Sequence, residues 1–325
     1  MTLRSMLMQE AAGTGMSRAN PVPLGEVAQA GPLEIQVLEV LAGPDAVTAV
    51  MGASPMNSEP RDGTTFVAVN LQVRNVGKNP LWVNNDDFGL TGDTGLVRRF
   101  LGALPPAPPL DQMIGPGEEA SGWIALSAGV DEGSLLLLFD SVSIGGNWAD
   151  RVLALQDGAS VPDAAQRVAE VNSAGTDPAA ALGFGEAAVT EQWAVEMIDV
   201  VTGADAFNLV DYRTGALGVE DAAAEDGSLW VALQFRVTNA ADGGVEAWLP
   251  TSAFVLAGES GDAVLDIATL TPPHPDAAGG YFPGGTREGW VMFDVPVEYT
   301  AALVRFLPFA HTTESPDPRY FSFAG

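Results

Sequence analysis

The chain has 325 residues, of which 47% are apolar, and carries 42 acidic against 14 basic side chains for a net charge of −28. That length and apolar content suit two domains, each with its own core, while so acidic a surface repels phosphate backbones and anionic lipid and argues against nucleic-acid binding. There is no cysteine, which excludes disulfides, thiolate catalysis and zinc–cysteine centres, and no apolar run approaches the roughly 20 residues of a membrane helix.

Residues 1–19 are polar and dotted with methionine, without clear period, and read as a tail. They hold an early Arg4 but no apolar segment of signal-peptide kind. A first domain is expected over 20–158. Leu33-Glu-Ile-Gln-Val37 alternates with period two, as a half-buried strand does, until Gly43-Pro-Asp45 breaks it. Phe66 to Val73 is a second strand. Its wholly apolar face, Val67, Val69, Leu71 and Val73, is expected in the core, and Asn75 closes it at a turn. Trp82 and Phe88 mark the next strand region, followed by Leu90. Pro-rich Leu104–Pro109 is a loop or shielded edge. Pro116-Gly117 is a turn into a strand at Trp123–Leu126, and further strands are expected at Leu135–Phe139 and Val152–Leu155.

Residues 159–177 read as a linker with a short helix candidate at Asp163–Val171, and 178–325 as a second domain. The second domain repeats the first. Gly185-Glu186 matches Gly25-Glu26, Trp193–Met197 matches Leu33–Val37, and Gly203-Ala-Asp205 matches Gly43-Pro-Asp45. Trp230–Asn239 matches Phe66–Asn75, Trp248 and Phe254 keep the spacing of Trp82 and Phe88, and Thr271–Pro275 matches the first Pro-rich loop. Pro283-Gly-Gly-Thr-Arg-Glu-Gly289-Trp290 repeats Pro116-Gly-Glu-Glu-Ala-Ser-Gly122-Trp123, and final strands are expected at Leu303–Phe306 and Tyr320–Phe323. Short strands separated by Gly, Pro, Asn and Asp predict an all-β chain of two tandem immunoglobulin-like antiparallel β-sandwiches. Trp82, Trp123, Trp230, Trp248 and Trp290 lie on expected strands, and the repetition of four of them predicts packing roles in both cores, with Trp123 and Trp290 buried; Trp148 and Trp193 are left unassigned.

The order of these segments, from the Gly-Glu before the first strand to the Pro-Gly…Gly-Trp that opens a late one, resembles the telokin-like, immunoglobulin-fold domains of unknown function in exported bacterial and archaeal lipoproteins. Secreted mycobacterial antigens share that fold. The resemblance runs over about 20–150 and 178–325 and implies a non-catalytic, exported module. It offers no catalytic residues to carry over. The chain departs from it in having no cysteine for a lipobox, and its first residues do not read as a signal sequence, so the expectation is either a protein that stays inside or a signal segment not included in this sequence.

Asp93-Thr94-Gly95 invites comparison with aspartic proteases. Gly92 precedes it, however, and the equivalent stretch of the second repeat is Gly258-Glu-Ser-Gly-Asp262, so a hairpin turn is expected. His274 and His311 have no acidic partner at metal-ligand spacing, and Gly183-Phe-Gly185 lacks the third glycine of a dinucleotide fingerprint. Clustered oxygen donors are the remaining site signal. Asn84, Asn85, Asp86 and Asp87 form a candidate calcium site, with Glu220, Asp221, Glu225 and Asp226 a second acidic cluster, although neither has an EF-hand pattern. No other cofactor is expected. The expected function is a non-catalytic extracytoplasmic binding module or envelope scaffold with a protein or cell-envelope partner and no assigned small-molecule ligand. The alternatives are a subunit of a cell-surface assembly, or a metal-dependent or hydrolytic enzyme on a β scaffold.

Overall fold

The computed structural model describes residues 14–99, 102–141, 150–210, 228–262, 269–270, 272–296, 303–307 and 318–323. The chain divides into two compact units, 1–163 and 164–325, and is all-β, with two antiparallel β-sandwiches in tandem.

In the first unit, β1 (Val27–Ala30), β2 (Leu33–Ala42), β3 (Thr64–Asn75) and β8 (Glu119–Gly129) form one sheet in that order. The facing sheet is β10 (Arg151–Ala154), β9 (Leu136–Phe139) and β5 (Phe88–Thr91). A two-stranded ribbon, β4 (Leu81–Val83) with β7 (Gln112–Ile114), stands beside them, and Leu96–Val97 is a short β6. The core between the sheets holds the face read from the alternation, Val67, Val69, Leu71 and Val73, against Phe88, Leu90, Leu137 and Phe139. Phe88 and Phe139 meet at 5.6 Å between ring centroids.

The second unit repeats this plan. Its larger sheet runs β11 (Ala187–Val189), β12 (Trp193–Thr202), β13 (Ser228–Asn239), β18 (Thr286–Pro296) and β16 (Thr269–Leu270). Facing it are β15 (Phe254–Ala257), β19 (Leu303–Phe306) and β20 (Arg319–Ser322), with β14 (Ala247–Leu249) paired to β17 (Gly279–Tyr281) as the ribbon. Phe235 from one sheet meets Phe254 and Phe321 from the other at 4.7 and 5.4 Å. Buried Tyr281 packs edge-on against Trp193 and donates its hydroxyl proton to Ala277, and burial raises its phenol to about 12.

Apart from β16, the paired strands of the two units share the same registers. Trp123 lies opposite Asn70, four residues beyond Phe66, just as Trp290 lies opposite Gln234, four beyond Trp230. Both second strands carry a bulge at the same place, between Val37 and Glu39 and between Met197 and Asp199. One extra residue reverses the parity of a strand. Leu33, Ile35 and Val37 therefore point into the inter-sheet core, whereas Leu41, beyond the bulge, joins a separate cluster on the outer face.

A helix covers that outer face, where a strand break alone was expected. α1 (Pro44–Ala53) follows Gly43 with proline in its first turn, where the missing N–H costs nothing, and Asp45 beside the positive end of the helix dipole. It lays Ala46 and Val50 on Phe66, Ala68 and Ala125, with Trp123 alongside. In the second unit α2 (Ala204–Asn208) sets Ala206 against Trp230, Ala232 and Met292, with Trp290 alongside. Trp123 and Trp290 are thus half-buried beneath a helix on the outer face and not in the inter-sheet core, because the strand pairing places them opposite outward-facing residues.

Other expectations shift for similar reasons. Gly15, within the supposed tail, accepts from Val152, and Arg18 is buried; Gly175, within the supposed linker, accepts from Tyr320 in the same way. Asp163–Val171 is not helical: the backbone N–H of Ala164 goes to Gly243 and that of Val168 to Ala240. Asn172 lies along β11, accepting from Val189 through its side chain and donating to Ala187. Gly15, Ala164, Val168 and Gly175 are thus held by backbone hydrogen bonds to their sandwiches.

The Pro-Gly…Gly-Trp signature has a geometric basis. The Pro-rich loop runs beside the strand that carries each tryptophan, β8 or β18. Trp123 donates to Pro108 and accepts from Leu110, while Trp290 donates to Pro275 and accepts from Ala277. A side chain on the preceding glycine would strike that loop: a Cβ at Gly122 would lie 2.6 Å from the Leu110 nitrogen, and one at Gly289 2.5 Å from the Asp276 oxygen. Gly122→Ala and Gly289→Ala should each destabilise the protein by about 1–3 kcal/mol, the usual range for overpacking. Urea melts of the two variants check this, and an unchanged midpoint would mean that the loop is not held there.

Candidate functional surface

The four oxygen-bearing residues Asn84, Asn85, Asp86 and Asp87 come together as one structural cap. Asn84 precedes a single 3-10 turn, Asn85–Asp87, and its side-chain oxygen accepts from the Asp86 N–H at 2.8 Å. Buried Asp87 reaches back to accept from the Asn84 N–H at 2.8 Å. Asn85 accepts from the Ala125 N–H at 2.7 Å, so its side chain closes the outer edge of β8. In the second unit β16 does that work by pairing with Phe293 and Met292, and the equivalent turn, Thr251–Ala253, has no side-chain cap. Three of the four side chains thus already give an oxygen to a backbone N–H. Among the described residues, no group of three or more His, Asp or Glu side chains is placed to hold a metal ion. The Glu220–Asp226 cluster, His311 and Trp148 lie outside the described residues.

Asp93-Thr94-Gly95 is a hairpin turn, as its residue types predict. Gly95 donates to Gly92, Asp93 to Gly133, and the Thr94 N–H and hydroxyl both go to Glu132. Arg18 is buried behind it and donates to the Gly92 carbonyl. Burial lowers the Arg18 guanidinium from its ordinary range, and the charges of Asp163, Glu132 and Asp93 oppose that shift. Asp93 therefore helps neutralise a buried arginine. In the second repeat Asp262 accepts from Ser260 in an exposed turn, and His274 is exposed in the Pro-rich loop.

The surface feature absent from the expectations is aromatic. Trp82 and Trp248, assigned to the cores on repetition alone, are 49% and 52% exposed. Each is the middle residue of a three-residue ribbon strand whose following residue, Val83 or Leu249, is fully buried. With the neighbour turned inward, the tryptophan must turn outward. Trp82 donates its indole N–H to Asp111 at 2.9 Å and lies directly across from Met113, itself 53% exposed. Trp248 lies across from Gly280. The repeat positions were readable in the sequence. Their direction was not, because a strand flanked by Leu81 and Val83 shows no alternation.

The outer face of the first unit also bears a shallow cavity of about 170 Å³, lined by Val27, Glu34, Gln36, Gln72, Arg74 and Glu119. The same face of the second unit holds Arg236 in contact with Glu196 and Glu288 at 2.6 and 2.8 Å.

Residues 22–150 match a family described as a domain of unknown function (DUF4352). No curated protein matches the chain. Among solved structures, the YjhA protein of Bacillus subtilis is 14% identical, with 42% of this chain and 99% of that one covered at a TM-score of 0.28. The secreted protein MPT63 of Mycobacterium tuberculosis is 12% identical, covering 42% and 98% at a TM-score of 0.29. An uncharacterized β-sandwich protein of Clostridium difficile 630 is 14% identical, covering 42% and 93% at 0.27. Among the described residues, no helix is long and apolar enough to cross a membrane.

If the tetrad is a cap and not a calcium site, Asp87→Ala should cost about 0.5–2 kcal/mol, the usual loss for a removed N-terminal cap, with or without calcium. Calcium should raise the melting temperature no more than magnesium does at equal ionic strength, since both screen the net charge of −28. A calcium-selective rise that disappears in Asp86→Ala would contradict the capping assignment.

Proposed function

We propose that the chain is a non-catalytic interaction module, built from immunoglobulin-like domains of the telokin-like kind and working outside the cytoplasm. The observation that carries this reading is the pair of outward-facing tryptophans at equivalent ribbon positions, Trp82 and Trp248. Large aromatics left in water are the side chains that most often anchor a protein contact. The backbone beneath them is fixed by buried neighbours, so the rings are presented by rigid strands. The candidate acids support the same reading: Asp87 caps a turn and Asp93 faces a buried arginine. The extracytoplasmic setting is carried by the sequence resemblance to domains of exported lipoproteins.

A photoreactive residue placed at position 82 or 248 in the source cell should yield discrete cross-linked adducts outside the cytoplasmic membrane, and one at exposed Val130 should yield none. Equal adducts from all three positions, or adducts confined to the cytosol, would contradict the proposal.

A further inference from the structure

We propose that Trp82, Asp111 and Met113 form a docking platform for a cationic segment of a partner protein, one that presents an arginine or lysine side chain. This rests on the interaction-module reading and names the chemistry of the partner.

The ring is held in place. β4 and β7 pair through Leu81 with Ile114, Trp82 with Met113 and Val83 with Gln112, and Val83 and Ile114 are anchored in the core. The indole N–H is taken by Asp111, which fixes the ring and sets a carboxylate beside it on the same exposed surface. An indole face carries negative potential and attracts a cation within about 6 Å of its centre. A carboxylate at its edge adds a formal charge and the acceptors that a guanidinium matches. Met113, opposite, offers a flexible thioether against which the apolar stem of an arginine or lysine packs.

Charge then selects the partner. The chain has 14 basic side chains to 42 acidic ones and is itself poor in cations. The described cation–aromatic pair lies elsewhere, where Arg287 stands 5.1 Å from the centre of the Tyr281 ring. With a net charge of −28, the protein steers positively charged partners toward itself and keeps nucleic acid and anionic lipid away.

The second repeat supplies an internal control. Trp248 is as exposed as Trp82, yet Gly280 faces it where Met113 stands in the first repeat, and Ala278 occupies the place of Asp111. The aromatic is shared; the carboxylate and thioether are not.

The test uses the full chain and a labelled six-arginine peptide, followed by fluorescence anisotropy at an ionic strength on the order of 0.15 M, where distant charges are screened. Trp82→Ala leaves the net charge unchanged, so any loss it causes is separate from bulk attraction. Trp82→Ala and Asp111→Asn should each weaken binding about three- to fivefold, the scale of an exposed cation–aromatic contact. Trp82→Phe should keep part of the affinity and Trp248→Ala all of it. Equal affinity in the wild type and Trp82→Ala, or an equal loss in Trp248→Ala, would overturn the proposal. If the peptide ignores Trp82 while cross-links at position 82 persist, the cationic chemistry fails and the interaction module stands. If both vanish, both fail.

Discussion

A buried asparagine at the end of the central strand ties each sandwich together. Asn75 and Asn239 are fully buried. A buried amide must find partners or cost stability. Asn75 donates through its side chain to the carbonyls of Asn79 and Ile114 and accepts from the Gly77 N–H, while its backbone bonds to Glu118 and Gly117. Asn239 donates to Tyr281, accepts from Ala241 and Gln192, and bonds by its backbone to Gly284 and Gly285. One residue thus joins the central strand, the Pro-Gly turn that launches its neighbour, and the ribbon that carries the exposed tryptophan. The turn sets the register of β3 with β8 and of β13 with β18, and the ribbon's position follows from the same bonds.

From that register the rest of each unit follows. Trp123 and Trp290 come out opposite outward-facing residues, the bulge delivers Leu41 and Val201 to the same side, and a short helix covers them. The preceding glycine admits the Pro-rich loop, which takes up main-chain groups that an exposed edge would otherwise offer to another sheet. Where loop and helix cover the larger sheet, the surface is closed. The ribbon, anchored by the asparagine and left uncovered, is where side chains such as Trp82 reach solvent on a rigid support. The structural economy of the fold and its proposed binding surface therefore share one origin.

The fold class was readable because two signals are strong: period-two alternation in Val67, Val69, Leu71 and Val73, and a second copy of every such segment. The covering helix was not read, since Gly43-Pro44-Asp45 is a turn signal by composition. The evidence for a helix lay in Pro44 at a first-turn position and in Ala46 and Val50 four residues apart. Bulges also hid the outer-face role of Leu41, because inserting one residue defeats a parity argument. Gly15 and Gly175 enter their sandwiches through backbone hydrogen bonds alone, which leave little mark on side-chain pattern. Asn84–Asp87 reads as a cation site in sequence because capping and metal binding use the same oxygens; the geometry adds that three of the four side chains give an oxygen to a backbone N–H.

The asparagine's role is tested most directly by Asn75→Ala, followed by urea unfolding together with native-state hydrogen exchange. With the Ile114 and Asn79 carbonyls and the Gly77 N–H left without their partner, the account predicts a loss of about 3 kcal/mol, on the scale of buried groups left unsatisfied. It also predicts that exchange in the β4–β7 ribbon and at Gly117 quickens by more than the increase that the β9–β10 pairing shares through global unfolding. A loss below about half a kcal/mol, the range of an ordinary surface substitution, with ribbon exchange unchanged, would show that the buried amide is not what holds the sandwich and its ribbon together.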